Sequence, residues 1–421
     1  MSPVRPTVQV IGTRLDPEHY RLRDFLTRSA QPHEWHEAGS LEATALLEEH
    51  AISPDAELPL LIDGDEVHTG ASVESIAASW NVFEQPGRTH YDLAIVGAGP
   101  AGLAAAVYAA SDGLSTVVFE REVPGGQAAY TSMIENFFGF PQGIGGAELA
   151  RLAGRQAEGF GAELLLMRAV QGHRRDDDGR ITFQLSDGTS VSSDVALAAP
   201  GMEWRMLDVD GVEALLGRGV YYGAGRSEAA QCGGDDVVVI GAGNSAGQAV
   251  LNLANAGARV KMLVRGERLG RAMSAYLVTR IEAHPLIDVR LGTQAEGLRE
   301  DDGRLTGVTV ADSSGAAEEL PAGALFICIG GAPRTGWAEE SGVRTDRAGF
   351  ILTGPDLLEK GSRPAGWPLD RDPLALETSL PGLFAAGDVR SGSTKRVAAA
   401  VGEGSMAVAL AHRRLDEMAA G

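Results

Sequence analysis

The order of apolar and polar positions divides the chain into segments with different periods. A strand is predicted over 7–11, a helix over 17–29, a connection into a second strand over 60–62, and a helix over 72–80. GluGlnProGlyArg at 84–88 has the composition of a linker. From Tyr91 the pattern becomes strand–helix–strand, and a very similar pattern restarts at Asp235. Two stretches, 93–111 and 237–258, carry no charge and are long enough to raise a membrane span. Each is broken by a glycine cluster and followed by small residues at helical spacing, so a strand, a tight turn and a buried helix fit better. Beyond about Gly336 the chain is rich in Pro, Gly and Asp up to Gly382 and then turns apolar. Within it, 347–371 reads as a long exposed excursion without a usable period.

At ~150 residues per domain, 421 residues imply roughly three domains. With 44% hydrophobic and 22% charged residues the chain is globular, and a net charge of −21 argues against nucleic acid and membrane partners. Lys261, Lys360 and Lys395 are the three lysines, so nearly all positive charge is arginine. Two cysteines, Cys232 and Cys328, exclude a disulfide framework, a four-thiolate zinc site and a CysXXCys centre. The nine histidines show no ligand spacing, so no metal is expected. The amino terminus lacks the apolar core of a secretory signal, and a cytoplasmic location is the expectation.

The strand entering at Asp92 runs into GlyXGlyXXGly at Gly97, Gly99 and Gly102, with Pro100 and Ala101 opening a helix. Such glycines allow a tight turn and bring backbone amides to a pyrophosphate at the positive end of the helix. The acid that should follow at the end of the next strand, for a ribose hydroxyl, is Glu120, with Arg121 beside it. The second copy places Gly241, Gly243 and Ala246 in the three positions, with Asn244 and Ser245 between, offset by 241 − 97 = 144 residues. Its second strand ends at Arg265, with Arg268 and Arg271 close behind, which suits the 2′-phosphate of NADPH. Glu267 lies among them, so NADH is not excluded. Two dinucleotide folds in one chain point to a nicotinamide that delivers hydride and a flavin that receives it. GlyAsnSerAlaGly at Gly243 superficially matches a serine hydrolase elbow, but the preceding GlyAlaGly marks a nucleotide turn.

From Tyr91 onward the chain resembles the low-molecular-weight thioredoxin reductases of the pyridine nucleotide-disulfide oxidoreductase group. The match is carried by GlyGlyGln at Gly125, Gly126 and Gln127, by GluAsnPhe around Asn136, and by AlaAlaProGly at Ala198, Ala199, Pro200 and Gly201. ThrSerLeuProGlyLeuPheAlaAlaGlyAspVal, containing Gly387 and Asp388, and ArgValAla at Arg396, Val397 and Ala398 complete it. The resemblance implies an α/β fold with two Rossmann-like domains of the three-layer ββα type, binding FAD and NAD(P). It implies FAD contacts from Glu120, Gln127, Asn136, Asp388 and the Arg396 segment, a homodimer, and a rotation between the domains. The implied division is an FAD domain in two parts, 91–205 and 337–421, around an NADPH domain at 206–336.

The segment 1–88 resembles a thioredoxin or glutaredoxin-like α/β domain, with Pro59 in the place of its cis proline. Its redox thiols would belong in ArgLeuAspProGluHisTyr at Arg14 to Tyr20, where there are none. The reductase family also carries a CysXXCys dithiol before the second glycine turn. Here those positions fall on Gly223 and Arg226, so ordinary dithiol exchange is unavailable. The expected activity is therefore a flavin-dependent NAD(P)H oxidoreductase passing electrons directly to a small molecule, quinone, dioxygen or redox protein. No catalytic side chain is assigned. Two alternatives stay open: a disulfide reductase using Cys232 or a partner's dithiol, and a flavin-binding redox sensor or scaffold. Cys328 reads as core, and Tyr221 and Tyr222 either flank the flavin or pack between domains.

Overall fold

The computed structural model describes residues 6–420 apart from 177, 224, 225, 272 and 340. Its first sheet contains β1 (Val8–Gly12), β2 (His33–Glu37), β3 (Leu60–Asp63) and β4 (Glu66–His68), in the order β2-β1-β3-β4, with β1 parallel to β2 and antiparallel to β3. Helices α1 (Pro17–Arg28), α2 (Leu41–Glu49) and α3 (Val73–Ser79) complete the unit. Helix α1 starts where Asp16 accepts from the Glu18 and His19 amides and Pro17 presets the first turn. Leu22, Phe25 and Leu26 then share the core with Val8, Val10 and Leu61. The Leu58–Pro59 bond is cis, as the resemblance requires. Strand β2 and helix α2 lie in what the pattern showed as a bare connection. HisGluTrpHisGlu is polar and half-exposed, and it becomes a strand because β1 offers it a parallel ladder.

The second unit runs through β5 (His90–Val96), α4 (Pro100–Ser111), β6 (Thr116–Phe119), α5 (Gly146–Gly159), β7 (Glu163–Leu165), β8 (Val170–Arg175), β9 (Ile181–Leu185) and β10 (Ser190–Ala198). The sheet order is β7-β6-β5-β10-β9-β8. From Leu93 on, strand β5 is buried on both faces, with Leu93 and Ile95 in one core layer and Ala94 and Val96 in the other, which accounts for the absence of charge after Asp92.

A third unit follows β11 (Met202–Trp204) with β12 (Val220–Tyr222), α6 (Arg226–Gln231), β13 (Asp236–Ile240), α7 (Asn244–Asn255), β14 (Arg259–Val264), α8 (Ala275–Glu282) and β15 (Ile287–Leu291). Strands β16 (Gln294–Asp301), β17 (Arg304–Ala311) and β18 (Ala317–Pro321) form a separate antiparallel sheet, after which β19 (Ala324–Ile327) returns to give the parallel order β12-β19-β13-β14-β15. Strand β20 (Gly331–Pro333) pairs antiparallel with β11. Beyond the short α9 (Gly336–Glu339), β21 (Leu383–Ala385) adds parallel to β10, and α10 (Val397–Ala420) shares a core with α4. The 347–371 excursion is partly pinned down: Ile351 and Leu357 are fully buried, and Ile351 bridges to Arg390. No helix among the described residues is long and apolar enough to cross a membrane.

The first unit is packed against both others through one stripe of α1. Tyr20 lies 5.1 Å from the Tyr221 ring, and Arg23 pairs with Glu228 at 3.6 Å. One turn on, Arg28 pairs with Asp24 and with Glu122, each at 2.7 Å, and sits over the Tyr130 ring. Burial pushes the Asp24 carboxyl up to about 6, with Arg28 pulling it down and Glu228 and Glu122 pushing it up; Tyr20 and Tyr130 complete its surroundings. Because the folded pKa lies above the ordinary value, packing favours the protonated acid. Stability from this group is full below about pH 4 and is lost as pH rises through 6. Thermal midpoints measured from pH 4 to 8 should therefore fall across that window, and Asp24→Asn should flatten the slope. An unchanged slope in the variant would exclude Asp24 as its source.

Candidate cofactor site

The two glycine turns are built alike. Gly97 and Gly241 have φ of +101° and +144°, and a Cβ on either would come 2.3 Å from a carbonyl oxygen, of Ala199 and Cys328 respectively. Each of those carbonyls follows the strand adjacent to the turn, β10 in one sheet and β19 in the other. A side chain on Gly102 would lie 1.9 Å from the Gly97 carbonyl oxygen, so its absence lets α4 approach the turn. Gly99 and Gly243 cap their helices without a side-chain hydrogen bond and have open space where a Cβ would be. Free N-terminal amides facing open space suit a pyrophosphate.

A cavity of about 380 Å³ opens at the first turn. Gly97, Gly99, Pro100, Ala101, Glu120, Arg121, Gly126, Gln127, Asn136, Ala199, Gly201, Gly387, Asp388, Arg396 and Val397 line it, whereas Gly102 and Ala398 do not. Glu120 is buried, and its carboxylate accepts from the Ala98 amide at 2.8 Å and the Glu122 amide at 3.0 Å. Burial raises its pKa, and the two amides oppose that rise. Asp388 is likewise raised by burial, with Lys395 acting in the opposite direction. A second cavity, of about 830 Å³, is lined by Gly241, Gly243, Asn244, Ser245 and Arg265. Ala246 is fully buried beneath the turn, and Arg268 and Arg271 are exposed residues outside the lining. Of the three arginines after β14, Arg265 lines the space.

The two cavities meet. Gln127 and Trp204 line both, and Asn244 and Ser245 from the second turn reach the first cavity together with Gln248. Trp204 also stands edge-on to Tyr130 at 5.5 Å. Neither aromatic nor Glu403, which holds the Gly387 turn by accepting from its amide at 2.7 Å and from Arg390 at 2.6 Å, was singled out from the sequence. A lone acid in the apolar start of a long helix was the available signal for Glu403.

Residues 91–404 match the family model described as pyridine nucleotide-disulphide oxidoreductase. The chain belongs to this family. It is 33% identical over 337 residues to a thioredoxin reductase of Treponema pallidum, covering 78% of this chain and 99% of that one. It is 32% identical over 330 residues to the Bacillus subtilis thioredoxin reductase, covering 78% and 96%. The Lactococcus lactis thioredoxin reductase in the FR conformation superposes with a TM-score of 0.68 at 29% identity, covering 78% and 99%. As a pyridine nucleotide-disulphide oxidoreductase the chain is an FAD-dependent NAD(P)H oxidoreductase, with FAD and NADPH as cofactors.

Against these relatives the chain lacks its dithiol. Gly223, at the first cysteine position, has φ +72°, and a Cβ there would come 3.3 Å from the Trp204 ring. Burial pushes the Cys232 thiol up to about 11, Arg14 pulling the other way, and pushes Cys328 up to about 12. Cys328 does line both the second cavity and a small space beside Gly223, but as a protonated thiol. Tyr221 lines none of these cavities; it is buried between Tyr20 and Phe326, so interdomain packing describes it. Tyr222 accepts a hydrogen bond from the Leu207 amide at 2.9 Å.

Proposed function

We propose that this oxidoreductase passes electrons from NADPH through FAD directly to an acceptor, without a resident dithiol. The observation that carries the reading is a junction of the two cavities walled by Gln127, Trp204, Asn244 and Ser245, with both cysteines buried and held protonated. When bound, FAD takes two electrons as hydride from the reduced nicotinamide and returns them to an acceptor. The α4 amides behind Gly99 would hold its pyrophosphate, Glu120 and Arg121 its ribose end, and Asp388 with the Arg396 segment the rest of the chain. Gln127 and Asn136 would orient the ring, and Trp204 with Tyr130 would keep water from it. Asn244 and Ser245 would fix the nicotinamide nucleotide, and Arg265 its 2′-phosphate.

The proposed acceptor is a small molecule or redox protein, and the proposed setting is the cytoplasm, where unpaired cysteines persist. A homodimer would cover Tyr108, Leu152 and Met406, large apolar side chains left exposed on α4, α5 and α10. Anaerobic stopped-flow mixing with NADPH, then reoxidation by a panel of acceptors, tests the reading. The flavin should bleach and recover, and Cys232→Ser should leave both rates unchanged. A flavin that stays oxidised would sink it; reversible reduction without turnover of any acceptor would favour a sensor, and turnover lost with Cys232 a thiol-dependent reductase. For nucleotide choice, Arg265→Ala removes one charge-assisted contact, so KM for NADPH should rise about 10-fold with KM for NADH unchanged. Equal effects on the two would remove Arg265 from the 2′-phosphate.

A further inference from the structure

The two segments in which the missing redox dithiols would belong face each other. In a thioredoxin-like unit the redox thiols belong at the start of the first helix, here Arg14 to Tyr20, and in the reductases the dithiol lies on the stretch leading into the second turn. Arg14 pairs with Asp235 at 2.9 Å and lies 3.4 Å from the Cys232 sulfur. Gly217 leaves room for Pro17, whose Cα would be 2.8 Å from an added Cβ. Tyr20 packs on Tyr221, and Arg23 and Glu228, both almost fully buried, pair across the boundary. Meanwhile Arg28 and the first unit's core reach the FAD side through Glu122, Val123 and Met167. The family model starts only at residue 91, so this cover comes from a part of the chain outside the reductase match.

We propose that the N-terminal domain is a resident, thiol-free occupant of the face that a thioredoxin-fold acceptor would use, so that the reductase body serves small-molecule acceptors entering through the joined cavities. This rests on the direct-transfer reading above and adds the acceptor class to it. A buried ion pair and a ring contact between the two surfaces mark a permanent contact, since separating them would expose two charged groups that the folded chain has already desolvated. With no dithiol to present, the body has no further use for that face, and a thioredoxin-fold partner would meet a surface already filled by its own likeness. By bridging both nucleotide units, the same contact holds the two cavities open to each other.

The test uses the full-length holoprotein with a protease site inserted between Gln85 and Pro86, in the exposed linker. After cleavage the amino-terminal fragment should co-elute with the yellow body on gel filtration. Arg23→Glu, which sets a like charge against Glu228, should release it, and the exchange Arg23→Glu/Glu228→Arg should retain it. Should either exchange variant misfold, the unsubstituted cleaved chain still decides: separation of its fragment overturns the proposal. In the uncleaved chain a benzoquinone should be reduced by NADPH and oxidised thioredoxin should not, and reduction of thioredoxin likewise overturns it. Failure of the direct-transfer reading would look different, as loss of turnover in Cys232→Ser while the fragment stays bound.

Discussion

Gly102→Val should give a colourless protein. A side chain at 102 would begin 1.9 Å from the Gly97 carbonyl oxygen, inside any allowed contact, and neither partner is a movable side-chain tip. Helix α4 would have to lift from the turn, carrying away the amides that face the cavity. A rise of at least ~100-fold in the FAD dissociation constant, about 2.7 kcal/mol, is expected from absorbance at the flavin band against protein. Gly102→Ala should be milder, because the second turn already accommodates Ala246 at the same place, with its Cβ 3.0 Å from a Cβ built on Gly241. Full flavin content in Gly102→Val would show that the first turn does not hold the cofactor.

The second large effect is on stability. Glu377 is fully buried, and its carboxylate accepts from Arg371 at 2.6 and 3.2 Å, from the Leu374 amide at 2.9 Å and from the Gly382 amide at 3.0 Å. Arg371 in turn reaches Glu417 on α10 at 2.8 Å. Glu377→Ala would orphan two buried amides and half of a paired guanidinium, at a cost of about 3–5 kcal/mol. A drop in the thermal midpoint on the order of 10 °C should follow, read by differential scanning calorimetry. A drop below about 3 °C would mean that water replaces the carboxylate at little cost.

The parts of this fold that obey local rules could be read from the sequence. Gly97, Gly99 and Gly102 with Glu120 follow from the geometry of one turn and the strand after it, and the second copy follows from the same rule. Strand β2 could not, because His33 to Glu37 carries no alternation and takes its conformation from a ladder with β1. Trp204 escaped notice for a related reason: its place beside Gly223 and Tyr130 is set by where three separate elements cross. Likewise Arg23 and Glu228 stand far apart in the chain, and nothing in either neighbourhood announces that they meet. Arg265, Arg268 and Arg271 differ in where they stand. All three are exposed, and Arg265 lines the second cavity while Arg268 and Arg271 stand outside its lining.

The short ladder of β11 and β20 has a bearing on how the polypeptide assembles. Met202, Glu203 and Trp204 pair with Pro333, Ala332 and Gly331, and Arg334 clasps Glu203 at 3.0 Å. The chain therefore leaves the second sheet and returns to it through neighbouring positions of one hairpin-like root. The entropy of closing such an excursion grows only with the logarithm of its length, so a whole nucleotide-binding unit can be carried there at little more cost than a surface loop. Once that root has zipped, β10 and β21 are tethered as near neighbours, and the split sheet can close without waiting for the inserted unit to finish folding.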